Sequence, residues 1–164
     1  MRFRHYEYMS AAGILDLYAD QENIVGLWFH ETTPDYFRHH SDDIINEPIS
    51  LAVLWLDNYF AGNRPSIHNL PLNPKGTIFQ KTVWSILKSI PYASTLTYGQ
   101  IADAIAKTLG KEKMSAQAVG QAVGANPISV IIPCHRVIGA NGNLVGYAAG
   151  LDKKIALLKH EGYL

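Results

Sequence analysis

The sequence predicts a mixed α/β chain in two parts, a strand-rich N-terminal part and a mostly helical C-terminal part. Two stretches rich in β-branched and aromatic residues, 14–19 and 24–29, are separated by turn-forming residues. The later part of the chain instead carries helix caps and apolar residues at helical spacing. Residues 62–75 contain three prolines, which is typical of a linker. We therefore expect domains over residues 1–75 and 76–164.

The first half contains two further predicted elements. Residues 3–9 are expected to add a third strand. Residues 48–60 are predicted to form a helix, because Pro48 suits its first turn and Gly62 lies just beyond its end.

The second half begins with two capping boxes, in which a Thr and the Gln three residues later hydrogen-bond reciprocally. The first, Thr77–Gln80, opens a helix that Pro91 ends. The second, Thr97–Gln100, opens a helix that runs to Thr108 and stops at Gly110.

Three elements are expected after these helices. Ser115 is predicted to cap a short helix over residues 116–123. Residues 128–132 are apolar and β-branched, which predicts a short buried strand. The last helix is expected to run from a cap at Asp152 to a stop at Gly162.

Two short helices, a strand and a Gly/Asn turn at 139–142 are typical of a helix-turn-helix with a wing, and two ordinary core helices are the alternative. The helix over 116–123 is thin, because it consists largely of Ala and Gly. A glycine inside a helix costs stability, so Gly120 indicates a close approach to another backbone. That backbone belongs either to the protein itself or to DNA.

Length and composition limit the class of protein. The chain has 164 residues, 48% hydrophobic and 17% charged, as expected of a chain that folds around a core. One cysteine excludes an internal disulfide and fits a reducing compartment. The N-terminus lacks a signal-peptide pattern, so we expect a cytoplasmic protein. No apolar run approaches the ~20 residues of a membrane span.

The formal net charge of zero conceals an asymmetry between the halves. Residues 1–75 carry 5 basic and 10 acidic residues, whereas residues 76–164 carry 9 basic and 4 acidic residues. A basic half suits an anionic partner such as nucleic acid, although two small domains also differ this much by chance.

The only cysteine, Cys134, lies between Pro133 and the pair His135-Arg136. Nearby His and Arg favour the nucleophilic thiolate, and Pro133 places the thiol at a turn. The residues alone leave three interpretations open: a buried structural cysteine, a cysteine peptidase and a redox sensor. The redox-sensor interpretation lacks support in one respect, because the chain has no second cysteine to react with an oxidised Cys134. Adjacent strand residues face opposite sides, so His135 needs a turn or a bridging water to reach Cys134.

Several segments of the second half resemble one known family. They are the active-site segment 126–139, which contains Pro133-Cys134-His135-Arg136-Val137, and the segments 76–80, 97–101, 146–147 and 157–162. Their residues and their order are similar to those of the O6-alkylguanine-DNA alkyltransferases, also called methylated-DNA–protein-cysteine methyltransferases. The N-terminal half resembles the α/β, ribonuclease-H-like domain of that family more weakly, through Leu27-Trp28-Phe29.

The resemblance implies a direct, irreversible transfer that needs no cofactor and that each molecule performs once. Cys134 would attack the alkyl carbon on O6 of guanine, and also that on O4 of thymine, and keep it as a thioether. His135 would take the thiol proton through a water, and Glu161 would orient His135. Tyr98 would donate to the leaving base. Asn126 would hold the turn before the active-site strand.

The resemblance also implies how double-stranded DNA with an alkylated base is bound. Because O6 of guanine is stacked inside the duplex, the nucleotide would flip out, at a cost of about a few kcal/mol. The helix-turn-helix would dock in the minor groove, which suits a helix of small residues. The implied DNA-binding residues are Thr97, Tyr98, Ala116, Gln117, Ala118, Gly120 and Arg136. The implied lining of the base pocket is Val137, Tyr147, Ala148 and Ala149.

Two places depart from the family pattern. Gln117 stands where many members have an arginine that fills the gap left by the flipped base, so its contact carries no charge. Ala148 and Ala149 stand where many members have Ser or Gly followed by Gly. We therefore expect a narrower pocket that reacts more slowly with bulky groups.

We expect a monomer without a metal. Some members bind structural zinc in the N-terminal half, which needs several Cys or His ligands. Cys134 is the only thiol. Four histidines, His30, His39, His40 and His68, could gather, but the neighbouring His39 and His40 suit a solvated loop better. A DNA-binding sensor or regulator, in which modification of Cys134 only signals, is the alternative function.

Overall fold

The structure is a computed structural model that describes residues 2–164. The chain divides into two compact units. The N-terminal unit comprises the residues through Lys75 together with Pro127–Ser129, and the C-terminal unit comprises Gly76–Asn126 and Val130–Leu164. A three-residue piece of the active-site segment is therefore built into the N-terminal unit.

The N-terminal unit contains a four-stranded sheet of order β3-β2-β1-β4. β1 (Phe3–Ser10), β2 (Gly13–Ala19) and β3 (Ile24–Phe29) form an antiparallel meander, and β4 (Ser41–Asp42) pairs in parallel with β1. The three long strands confirm the sequence prediction. β4 is invisible in the sequence pattern, because two residues are too few to show an alternation.

Two α-helices accompany this sheet, α1 (Asp35–His39) and α2 (Glu47–Phe60). α2 begins one residue earlier than predicted, because the side chain of Asn46 caps it by accepting from the N–H of Ile49 (3.3 Å). Its buried face, which includes Leu56, packs against the three long strands.

Residues 62–75, predicted to be a linker, form no helix and only one isolated bridge, between Leu72 and Ile24. The segment is nevertheless anchored to β3. The N–H of Ile24 donates to Pro71 O (2.7 Å), and the N–H of Asn73 donates to Ile24 O (2.9 Å).

The C-terminal unit is mostly helical, as predicted. Its α-helices are α3 (Ile78–Leu87), α4 (Tyr98–Thr108), α5 (Ala116–Gly124) and α6 (Leu151–Glu161). Two short strands, β5 (Leu96–Thr97) and β6 (Val137–Ile138), pair in parallel. None of the helices among residues 2–164 combines the length and the apolar character that crossing a bilayer requires.

The predicted caps account for three helix starts. Thr77 and Thr97 each accept from the N–H of the Gln three residues later, and each Gln side chain accepts in return, so both capping boxes form. Ser115 caps α5 by accepting from the N–H of Ala118 (3.1 Å). These helix starts are therefore determined by local sequence.

The predicted cap at Asp152 is wrong. α6 starts at Leu151, after Gly150, and no side chain among the described residues 2–164 caps this end. Gly150 has φ 101° and ψ 152°, a conformation that is essentially restricted to glycine. Asp152 lies in the first turn, where a carboxylate interacts favourably with the helix dipole. The predicted stop is confirmed, since Gly162 ends α6 in the left-handed conformation (φ 84°).

The predicted strand over residues 128–132 is also wrong. Ile128 makes one bridge, to Leu27, and the following residues form turns. Val130 lies at φ 69°, in the left-handed region that a β-branched residue rarely adopts. The side chains of Ile128, Val130 and Ile132 are nevertheless 0% exposed. The apolar pattern therefore reflects burial rather than strand pairing.

The helix-turn-helix pair is present as α4 and α5, which pack against each other. The segment expected to form its wing contains β6 and the turn 139–143, in which Gly139 N–H donates to Asn143 O (2.7 Å). Because β6 pairs in parallel with β5, this segment lacks the antiparallel hairpin of a wing built from strands.

Trp84 is a buried link between α3 and α5. Its side chain is 1% exposed, and its indole Nε1 donates to Ala122 O (2.8 Å). Trp84→Phe keeps an aromatic ring but removes this hydrogen bond, so we expect the free energy of unfolding to fall by about 1–2 kcal/mol in urea denaturation. Ile78→Val, at an 87% exposed position of α3, should change it by less than about 0.5 kcal/mol. Equal effects of the two substitutions would contradict this role of Trp84.

Candidate active site

Cys134 opens a 3-10 helix, Cys134–Arg136, directly after Pro133. The turn predicted at the thiol is therefore confirmed. Cys134 is 7% exposed, and its backbone N–H donates to Ile132 O (2.8 Å). Because burial disfavours charged groups, a thiolate at this place needs positive charge or a base nearby.

His135 and Glu161 form a buried pair beside Cys134. Nε2 of His135 lies 2.6 Å from Oε2 of Glu161, and both side chains are 0% exposed. An ionised carboxylate only accepts hydrogen bonds, so Nε2 carries the proton and Nδ1 presents its lone pair. Nδ1 is buried and has no hydrogen-bond partner within residues 2–164. The ring therefore offers one open acceptor.

The carboxylate of Glu161 is held by three residues. Arg136 donates from Nε to Oε1 (2.8 Å) and from Nη2 to Oε2 (2.9 Å), a bidentate arrangement. The backbone N–H of Ala93 donates to Oε1 (3.1 Å). Arg136 also donates from Nη1 to Ile90 O (2.8 Å) and is only 9% exposed. These donors keep Glu161 ionised although it is buried.

The electrostatics of this cluster leave His135 neutral. Burial lowers the pKa of His135 below its usual value, although the hydrogen bond and the charge of Glu161 act in the opposite direction. The imidazole is therefore uncharged near neutral pH. A neutral ring with a bare Nδ1 is the form that accepts a proton in general base catalysis.

Tyr98, the first residue of α4, brings a hydroxyl group to the same unit. Its Oη donates to Val145 O (3.3 Å). Burial and, to a smaller extent, the charge of Cys134 raise the pKa of Tyr98 above its usual value. The hydroxyl therefore stays protonated at neutral pH and remains a hydrogen-bond donor.

Lys154 is a functional candidate that the sequence reasoning missed. Its side chain is 0% exposed, and Nζ donates to the backbone carbonyls of Val137, Val145 (3.1 Å) and Gly146 (3.1 Å). Tyr98 donates to the same Val145 carbonyl. The lysine thus ties the backbone just after the thiol to the segment that Tyr98 contacts.

A signal for Lys154 does exist in the sequence. Lys154, Leu157, Leu158 and Glu161 stand at the spacing i, i+3, i+4, i+7, which is the buried face of a helix. A lysine at a core position indicates a buried ammonium group with specific acceptors. Burial lowers the pKa of Lys154 to about 8, although the charge of Cys134 acts in the opposite direction.

Asn126 lies in the connection between α5 and Cys134, where the family resemblance implies that it holds a turn. It is 5% exposed, and its Nδ2 donates to Ile132 O (2.8 Å). The same carbonyl accepts the N–H of Cys134. The side chain of Asn126 thereby determines where the backbone enters the 3-10 helix, although no strand precedes that helix.

The outer side of α5 carries small or uncharged side chains. Its exposed or partly exposed residues among the predicted DNA contacts are Ala116, Gln117, Ala118 and Gly120. A Cβ atom at Gly120 would contact only the Tyr98 ring outside its own helix, at 3.8 Å, and one at Gly124 would have no such neighbour within 4 Å. The packing of the protein itself therefore requires glycine at neither position.

The remaining predicted site residues differ in exposure. Val137 is buried in β6, and Thr97 is the cap of α4. Tyr147 and Ala149 are partly exposed, and Ala148 is exposed. The predicted pocket residues after Gly146 thus lie at the surface of the C-terminal unit.

Two protein families match consecutive parts of the chain. Residues 78–163 match the family described as 6-O-methylguanine DNA methyltransferase, DNA binding domain. Residues 4–74 match the family described as 6-O-methylguanine DNA methyltransferase, ribonuclease-like domain. Together the two matches cover nearly all of the chain.

Individual proteins show the same similarity. The methylated-DNA–protein-cysteine methyltransferase of Methanosarcina acetivorans is 57% identical over 107 residues, and this match spans 65% of the present chain and 65% of that relative. A crystal structure of the Mycobacterium tuberculosis O6-methylguanine methyltransferase is 40% identical, with a TM-score of 0.83, over 97% of this chain and 92% of its own. A crystal structure of Mycobacterium tuberculosis OGT in complex with DNA is 39% identical, with a TM-score of 0.79, over 98% and 92%.

The depressed pKa of Lys154 predicts a pH-dependent stability. Between its folded-state pKa of about 8 and its ordinary value of 10.5, the unfolded chain binds more protons than the folded chain, so this residue makes stability rise with pH. The difference in unfolding free energy between the wild type and Lys154→Met should therefore grow in favour of the wild type from about pH 8 upward. Urea denaturation across this window measures it.

The matched control is Lys159→Met, because Lys159 is an exposed lysine on the same helix. The difference in unfolding free energy between Lys159→Met and the wild type should not change over the same pH range. If the difference in unfolding free energy between Lys154→Met and the wild type is also independent of pH, burial does not destabilise the charged ammonium group.

Proposed function

This chain belongs to the 6-O-methylguanine DNA methyltransferase family, and on that premise we propose that it repairs DNA by transferring an alkyl group from O6 of guanine to Cys134. The proposal extends to alkyl groups on O4 of thymine. The product on the protein is a thioether, which has no route back to a thiol here. Each molecule therefore acts once, as a stoichiometric reagent.

The observation that carries the proposal is the buried pair of His135 and Glu161 directly after Cys134. Nδ1 of His135 is the open acceptor for the thiol proton, which reaches it through a bridging water. Glu161 fixes the tautomer and stabilises the imidazolium that forms. The arrangement is that of a catalytic triad, in which Cys134 is the nucleophile, His135 is the base and Glu161 orients the base.

The transfer balances within this set of groups. A bond forms between the sulfur and the alkyl carbon, and the bond between that carbon and O6 breaks with its electron pair remaining on the guanine. The guanine then takes a proton, for which the Tyr98 hydroxyl is the donor in our proposal, and the proton that His135 took from the thiol is returned to Tyr98 through solvent. The hydrogen bond that this hydroxyl donates to Val145 O supports the proposed role as a donor.

DNA binding is assigned to α4 and α5. The small exposed side chains of α5 allow a duplex backbone to approach closely, and the exposed lysines of the α4–α5 connection, Lys111 and Lys113, supply positive charge. We place α5 in the minor groove with Gln117 in the gap left by the flipped nucleotide. All of these residues belong to one chain, so we infer that a monomer suffices.

We infer a different role for one residue that the resemblance suggested for DNA contact. The guanidinium of Arg136 donates to Glu161 from two nitrogens and to Ile90 O from the third. We therefore assign Arg136 to the support of Glu161 rather than to phosphate binding.

Intact-mass analysis tests the proposed transfer. After incubation with duplex DNA that contains O6-methylguanine, the protein should gain one methyl group in place of a hydrogen, mapped to Cys134 by peptide analysis. The gain should saturate at one per chain, and a second addition of substrate should give no further repair. The physical reason for this limit is that the chain has one cysteine, and its thioether cannot accept a second group.

Cys134→Ser is the control for this experiment and should bind the same DNA without gaining mass. If the wild type binds the alkylated DNA and remains unmodified, the protein is a lesion sensor and the transfer proposal fails. A second methyl group on another residue would contradict the stoichiometric mechanism.

The two alanines at 148 and 149 predict a preference for small alkyl groups. An added methyl in a pocket typically changes the rate by roughly tenfold or more, so O6-benzylguanine DNA should react more slowly than O6-methylguanine DNA. Ala149→Gly should bring the reaction rates on the two substrates closer together, because it removes the partly exposed methyl group. Single-turnover rates on both substrates measure it, and equal rates in the wild type would refute it.

A further inference from the structure

The turn that follows α3 contacts the ion pair of Glu161 and Arg136. It is closed by the N–H of Ser94, which donates to Pro91 O (3.1 Å). Ala93, its third residue, has φ 62°, in the left-handed region. A positive φ at this place is characteristic of a type II turn, in which glycine is the usual residue. The alanine is therefore held in a conformation that is unfavourable for a residue with a Cβ atom.

The backbone of Ala93 makes a contact that stabilises this conformation. The turn itself uses the N–H of Ser94, and the N–H of Ala93 donates instead to Oε1 of Glu161 (3.1 Å). The Glu161 side chain is 0% exposed, so bulk solvent cannot replace a donor that is lost there. Strained backbone of this kind persists only where the surroundings hold it, and it is concentrated at functional sites.

Two further contacts of the same segment reach the guanidinium of Arg136. The carbonyl of Ile90 accepts from Nη1 (2.8 Å). The ring centroid of Tyr92 lies 5.7 Å from Cζ, within the range of a cation–π interaction. Residues 90–93 thus contact both members of the ion pair, Arg136 through Ile90 and Tyr92 and Glu161 through Ala93.

The two oxygens of Glu161 have different partners. Oε1 accepts from Ala93 and from Nε of Arg136, whereas Oε2 accepts from His135 and from Nη2 of Arg136. Arg136 therefore binds both oxygens, and the N–H of Ala93 binds Oε1 alone. Because a carboxylate is rigid and planar, a donor that fixes Oε1 also sets the direction in which Oε2 points.

From this geometry we propose that the turn 91–94, strained at Ala93, is a positioning element for the alkyl transfer. The N–H of Ala93 aligns Oε2 of Glu161 with Nε2 of His135 and so keeps the base in place. Ala93 acts through Glu161 and is a positioning residue rather than a catalytic one. The expected effect on the transfer rests on the proposed function, whereas the effect on His135 does not.

An amide-to-ester replacement at Ala93 tests the proposal, because it removes the N–H and keeps the methyl side chain. Lactic acid is incorporated at position 93 of the full chain by nonsense suppression. At saturating duplex DNA that contains O6-methylguanine, the single-turnover rate should fall by about tenfold or more, as expected for a lost hydrogen bond to a charged group. The Kd for this DNA should not change, because the proposed DNA contacts lie on α4, α5 and their connection.

The matched control is the same replacement at Ala61, whose N–H donates to Asp57 O (3.0 Å) at the end of α2. It removes one backbone hydrogen bond in the N-terminal unit and none at Glu161. The transfer rate of this protein should equal that of the wild type, and urea denaturation verifies that both ester proteins are folded. A wild-type rate in the ester protein at Ala93, or equal losses of rate at both positions, would overturn the proposal.

The proton on Nε2 of His135 reports the alignment without DNA. A proton in a short hydrogen bond to a carboxylate resonates far downfield, and here Nε2 lies 2.6 Å from Oε2 of Glu161. In protein with histidine labelled at the ring nitrogens, this resonance should move upfield in the ester protein at Ala93 and stay unchanged in that at Ala61. An unchanged resonance at both would contradict the positioning role. If the wild type transfers no methyl group, the proposed function fails, and the resonance still decides whether Ala93 positions His135.

Ala93→Gly tests the strain separately, because it removes the Cβ atom and keeps the N–H. Glycine adopts left-handed conformations readily, so the midpoint of urea denaturation should rise above that of the wild type. The downfield resonance of His135 should be retained. A midpoint below that of the wild type would show that the turn is not strained at Ala93, and the proposal of a strained positioning element would be wrong.

Discussion

The carboxylate of Glu161 is the group on which the arrangement around Cys134 depends. It accepts from His135, from two nitrogens of Arg136 and from the backbone of Ala93. Without it, Arg136 would be a buried cation with no counter-ion, which costs about 3–5 kcal/mol in comparable pairs. His135 would also lose the hydrogen bond that fixes its tautomer. The stability of the site and the proposed proton transfer therefore depend on the same two oxygens.

Helix α6 carries a second buried charge, that of Lys154, which interacts electrostatically with Cys134. Lys154 and Glu161 lie two turns apart on the same buried face of this helix. Glu161 binds the two residues that follow Cys134, and Lys154 binds the carbonyl of the next residue, Val137. Residues 135–137, directly after the thiol, are thus all held by one helix, which explains how a turn maintains a defined side-chain geometry.

The sequence predicts those features that depend on local interactions. The caps at Thr77, Thr97 and Ser115 form as predicted, because a cap needs only residues three positions apart. The residues of the candidate site are recognised through the family motif. The strand over 128–132 is predicted wrongly, because an apolar β-branched run indicates burial and the pairing partner is set by the rest of the fold.

The features that the sequence does not reveal depend on distant contacts. The sequence spacing places Lys154 on a buried helix face, but its partners appear only in the structure, where three backbone carbonyls accept from its ammonium group. Glu7, Asp16 and His30 become neighbours only through strand register, which a single sequence leaves undetermined. The cap at Asp152 fails for a related reason, since a special glycine conformation at Gly150, and not a side chain, starts the helix.

The buried charges of the C-terminal unit also give a physical reason for a reactive thiol. They are Glu161, Arg136 and Lys154, one negative and two positive. Glu161 and Arg136 neutralise each other, and carbonyl groups solvate Lys154 without cancelling its charge. With a neutral thiol the buried site therefore carries one excess positive charge, whereas with a thiolate it is balanced. The coupling is mutual, because the charge of Cys134 raises the pKa of Lys154. Burial would suppress the thiolate in an apolar turn, and Lys154 opposes that effect.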